Sequence, residues 1–72
     1  MAITSDTLIC RRVEETLVHD SRTKDATIDV ACLAGLVTLT GDVKKAAIKA
    51  AAEEIARAVS GVHAVDNELR VR

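Results

Sequence analysis

The sequence predicts a small α+β fold in the order αββαβ, with two helices packed on one face of a three-stranded mixed sheet. Three observations lead there. Apolar residues recur at helical spacing in two segments, Ile9–Val13–Leu17 and Ile48–Ala51–Ala52–Ile55–Val59. They alternate with polar residues in three others, centred on Val30, Val37 and Leu69. Gly35, Gly41 and Gly61 stand where one pattern gives way to the next.

The elements follow in order. Thr4, Ser5 and Asp6 are candidate caps for a first helix over residues 6–19, with Arg11, Arg12, Glu14 and Glu15 between its apolar positions. Residues 21–25, Ser-Arg-Thr-Lys-Asp, read as a polar loop. Ile28, Val30 and Cys32 then alternate with Thr27, Asp29 and Ala31. Gly35, in the turn Leu33-Ala34-Gly35, takes positive φ without steric cost. Val37 and Leu39 continue the buried face, while Leu36, Thr38 and Thr40 point away. Gly41 closes this strand, and Asp42 caps a second helix over residues 43–59, ended by Ser60 and by Gly61 at the C′ position. A last strand turns Val65, Leu69 and Val71 inward and Asp66, Glu68, Arg70 and Arg72 outward. A right-handed crossover through the second helix lays strand three parallel to strand two, which becomes the central strand.

Composition bounds the function. Residues 1–72 make one domain, and a chain this short buries only about 60% of its unfolded surface. It has no Phe, Trp or Tyr, so no base-stacking platform is available. The formal net charge is −1, and no broad basic face for nucleic acid is expected. No apolar run is long enough to span a bilayer and no leader pattern opens the chain, which places it in the cytoplasm as written. An excised domain of an exported protein would instead be periplasmic. Cys10 and Cys32 are too few and too far apart for a metal site. Their number allows one disulfide, but the expectation is two small, buried, free thiols, with Cys32 on the inward face.

No residue declares a catalytic chemistry. His19 ends a helix, His63 sits in a turn near Ser60, and no third group is indicated, so no catalytic residue, metal or cofactor is assigned. Asn67 has inward parity and is read as a tie to loop backbone. Lys44, Lys45 and Lys49 fall in the first turns of the second helix. There they oppose the helix dipole, but with the free N–H groups they suit an anionic headgroup. Leu33 and Leu36 form an apolar hairpin tip, suited to a lipid interface, a protein partner or a second copy.

The wording of the chain resembles one known family. Gly35, Val37, Leu39 and Gly41, then Ala51, Ile55, Ala56, Val59, Gly61, Val62, Val65, Asn67, Leu69 and Val71, match the pattern of the BON family (bacterial OsmY and nodulation domain). Asp6, Ile9, Val13, Leu17, Asp20, Ile28 and Val30 extend the match to nearly the whole chain. The resemblance implies a non-enzymatic module that binds phospholipid or the membrane surface, often in the bacterial periplasm and in envelope stress. The alternative is a protein-interaction or self-association module, cytoplasmic or within a larger protein.

Overall fold

In the computed structural model, residues 5–72 are described, and Thr4, one of the expected caps, lies outside them. The middle strand organises the rest. This strand, β2 (Leu36–Val43), pairs antiparallel with β1 (Asp29–Leu33) and parallel with β3 (Ala64–Val71). The helices are α1 (Ser5–His19) and α2 (Ala46–Ala58), giving the order αββαβ expected from the periodicity. The sheet order is β1-β2-β3.

Val37 and Leu39 of β2 are fully buried and pack with Ile9, Val13 and Leu17 of α1, with Ala52, Ile55 and Ala56 of α2, and with Leu69. The alanines bring α2 close to the sheet, and alanine adds the best helix propensity. A polar tie reinforces this contact. Asn67 Nδ2 donates to the Lys49 carbonyl of α2 at 2.8 Å, and its Oδ1 accepts from the Leu69 N–H at 3.2 Å. The open face of the sheet carries Asp29, Thr38, Thr40, Asp66 and Glu68, as the alternation requires.

Four expectations are corrected. First, Cys10 and Cys32 are not free thiols. They form a disulfide with Cα atoms 5.7 Å apart, and no free cysteine is left among the described residues. The packing of α1 across β1 brings the pair within bridging distance, which their separation of 22 residues does not reveal. Second, Gly41 does not close β2. The strand runs through it to Val43, a core residue at 3% exposure, and so α2 starts at Ala46 rather than 43. Third, Asp42 therefore caps nothing. It is the penultimate residue of β2, and its carboxylate meets Arg72 at 3.1 Å. Fourth, Val71 is 47% exposed. It has the inward parity, but β3 is an edge strand, and among the described residues no strand flanks Val71 on that side.

Two further features concern the ends of elements. Thr23, in the loop read only as polar, is 1% exposed, and its Oγ1 donates to the Leu17 carbonyl at 2.6 Å. It thereby satisfies a carbonyl in the last turn of α1 that the helix itself leaves open. Gly61 does take positive φ, at 95°, but it lies two residues past the C-cap Val59 rather than at C′.

Candidate functional site

Two regions hold the residues singled out from the sequence, and they lie at opposite ends of β2. One is the corner where β2 passes into α2. Val43 is buried, so the two residues that follow are turned out of the core, and Lys44 and Lys45 are both exposed. Lys45 is the N-cap of α2, with φ −140° and ψ 145°, and makes no side-chain cap bond. No acidic residue occupies the first turn. The positive end of the helix dipole is thus left without a carboxylate.

A cleft of about 540 Å³ opens beside this corner. Lys44, Lys45 and Arg22 stand on its wall with Asp25 and Asp42, and Ala26, Val43 and Ile48 supply apolar surface. The charges are not equivalent. Arg22 is bound to Asp20 at 3.1 Å and to Glu54 at 3.5 Å, and Asp42 is bound to Arg72. The guanidinium of Arg22 holds the Asp20 carboxyl below its ordinary range, chiefly by hydrogen bonding. Lys44 and Lys45 have no ion partner among the described residues. The tertiary structure thus joins two of the three expected lysines. Lys49 is half-buried one turn further along α2 and does not line the cleft. Arg22, which sequence reasoning missed, joins them because the α1–β1 loop folds against the β2–α2 corner.

The other region is the hairpin tip. Leu33 and Leu36 are register partners, 75% and 42% exposed. The two residues between them, Ala34 and Gly35, have φ of 51° and 85°. Such a turn matches the twist of the strands, but positive φ costs a non-glycine residue about 1 kcal/mol. The Asp6 carboxylate offsets this by accepting the Ala34 N–H at 3.0 Å and the Gly35 N–H at 3.3 Å. Asp6 was expected as a helix cap, and it holds the hairpin instead. The Gly35 carbonyl in turn accepts the N–H groups of His63 at 2.8 Å and Ala64 at 3.3 Å. A Cβ on Gly35 would collide with the His63 ring. The tip is therefore a rigid apolar knob, clamped to α1 by Asp6 and by the disulfide in β1. Leu36 and Val43 are seven strand positions apart, so tip and corner are separated by about 23 Å along β2.

The histidines do not come together: His19 stands at the end of α1, and His63 belongs to the hairpin tip. His19 Nδ1 lies 2.7 Å from the Glu15 carbonyl, and His63 packs over Gly35. Among the described residues no group of three or more His, Cys, Asp or Glu side chains could hold a metal ion. None of their helices is long and apolar enough to cross a membrane.

The model of the BON domain matches residues 5–72, every residue described above. The chain belongs to the BON family. No curated protein matches it. BON domains are associated with phospholipid binding and are generally non-catalytic binding modules. In this BON domain the matched residues have visible structural tasks. Asp6 and Gly35 build the hairpin tip, and Asn67 ties α2 to β3. The side chains of Lys44, Lys45, Leu33 and Leu36 are exposed.

Proposed function

We propose that this BON domain is a non-enzymatic module that associates weakly with anionic phospholipid surfaces through the β2–α2 corner. One observation carries the reading. Lys44 and Lys45 stand without ion partners at the uncapped N-terminus of α2, beside a cleft with apolar surface from Ala26 and Ile48. A headgroup phosphate would meet both the lysines and the helix N–H groups.

Each basic residue near an anionic surface contributes about 1 kcal/mol, so two or three lysines give weak, reversible binding. The open sheet face carries Asp29, Asp66 and Glu68, carboxylates that an anionic surface repels, so the corner rather than this face suits the contact. The disulfide supports an oxidising compartment, and so a bacterial periplasm and an envelope or stress setting rather than the cytoplasm.

Co-sedimentation with phosphatidylglycerol–phosphatidylcholine vesicles tests the reading. Wild-type protein should pellet at low salt and be released as salt rises. Lys44→Glu with Lys45→Glu should abolish pelleting. Wild-type protein that stays in the supernatant at low salt would refute the proposal.

The rigid tip supports a second reading, contact with a protein partner through Leu33 and Leu36. Under that reading Leu33→Ser with Leu36→Ser should abolish partner capture while the lysine variant retains it.

A further inference from the structure

Among the described residues β3 is an edge strand, paired with β2 alone. At its two ends the Ala64 N–H bonds the Gly35 carbonyl and the Arg72 N–H bonds the Val43 carbonyl. Even-numbered residues thus turn their backbone groups to β2. Backbone groups alternate sides along a strand, so those of Val65, Asn67, Leu69 and Val71 face the free edge. Long edge strands usually carry a proline, a bulge or an inward charge that blocks further pairing. The chain has no proline, and no inward position of β3 is charged. One donor is partly shielded, the Leu69 N–H, by its own-strand bond to Asn67 Oδ1 at 3.2 Å.

The outward side chains of this strand and the residue after it are Asp66, Glu68, Arg70 and Arg72, all exposed. Their charges read minus, minus, plus, plus. That order is its own complement when the strand is reversed. An antiparallel pair of β3 strands with its dyad at Leu69 sets Asp66 opposite Arg72 and Glu68 opposite Arg70, each pair occurring twice. A dyad at Glu68 or Arg70 would oppose like charges at the axis, and a dyad at Asn67 would oppose Asp66 to Glu68. Like charges directly opposite are destabilising, so the charges select one register. In that register Asn67 of one copy faces Val71 of the other. Val71, 47% exposed in the isolated chain, then gains a neighbouring strand.

The isolated chain leaves these charges poorly matched. The neighbouring Asp66, by hydrogen bonding and then by like charge, pushes the Glu68 carboxyl above its ordinary range. Arg70 has no ion partner among the described residues. Arg72 meets Asp42 at 3.1 Å in an exposed pair that a second copy can share.

We infer that β3 is a self-recognition edge: two copies of this chain join their β3 strands antiparallel about Leu69 into one continuous sheet, with Asp66, Glu68, Arg70 and Arg72 setting the register. The leucine tips lie at the far ends of this assembly, and the two lysine corners flank its dyad. The inference stands independently of what the corner binds.

Sedimentation equilibrium of the full chain tests it. Wild-type protein should pass from monomer to dimer with concentration, and added salt should shift the balance to monomer. Arg70→Glu with Arg72→Glu makes the edge wholly acidic, and Asp66→Arg with Glu68→Arg makes it wholly basic. Each variant alone should be monomeric, and an equimolar mixture should form a heterodimer. Leu33→Ser with Leu36→Ser should dimerise as wild type does. Circular dichroism checks that each variant is folded, and the salt titration of wild-type protein decides the matter if one is not. A wild-type monomer at the highest soluble concentration overturns the inference. So does a dimer indifferent to salt, a mixture that stays monomeric, or dimerisation lost with the leucines.

Discussion

Breaking the Cys10–Cys32 disulfide should cost this domain about as much stability as truncating a fully buried core side chain. The bridge closes a loop with a sequence separation of 22 between α1 and β1. The chain-entropy relation for a loop of that length gives about 11 cal/mol/K, or about 3 kcal/mol near room temperature. For a domain of this size each kcal/mol moves the melting midpoint by about 4–8 °C, so reduction should lower it by roughly 12–24 °C. A small all-aliphatic core makes such a contribution a large part of the total. The assay is thermal unfolding by far-ultraviolet circular dichroism, with and without a phosphine reductant. Cys10→Ala with Cys32→Ala should melt near the reduced protein and ignore the reductant. Thiol titration of the oxidised, folded protein should find no reactive cysteine. A melting midpoint unmoved by reduction, or two titratable thiols in the oxidised protein, would refute the reasoning.

Three other outcomes are expected. Gly61→Val should cost about 1–2 kcal/mol, because φ is 95° there and a Cβ would lie 2.9 Å from Ile9 Cδ1; an unchanged midpoint in urea would count against it. Thr23→Val should cost about 1–3 kcal/mol by stripping the buried Leu17 carbonyl of its partner, with faster amide exchange in the last turn of α1 as the local signature. The Glu68 carboxyl is held above its ordinary range by Asp66, so the folded state keeps that proton more tightly than the unfolded chain. The stabilisation is present below the ordinary glutamate value and is lost as pH rises through the raised one. At protein concentrations where the chain is monomeric, Glu68→Gln should therefore raise the melting midpoint at neutral pH and remove this loss, and a pH–stability profile identical to wild type would contradict it.

The sequence by itself determined what local periodicity and steric preference can determine. Ile9–Val13–Leu17 and Ala51–Ala52–Ile55 marked the helix faces, and the alternation around Val37 and Leu69 marked the strands. A right-handed crossover from these elements already implied a central β2 with β3 parallel to it. The lysines and the leucine tip were also legible, as a charge cluster at a helix start and an apolar pair where a turn is usually polar. The tertiary structure decided whatever depends on two distant segments meeting. It joined Cys10 to Cys32, because α1 crosses β1, and it took Asp6 from the helix end to the hairpin N–H groups. It carried β2 through Gly41 to Val43, because pairing with β3 continues to Val71. That extension displaced the start of α2, removed Asp42 as a cap and left Lys45 at an uncapped helix end. It also parted the lysine corner from the leucine tip by the length of β2. Periodicity reports which face of an element is apolar, whereas the meeting of two elements depends on packing that no local window contains.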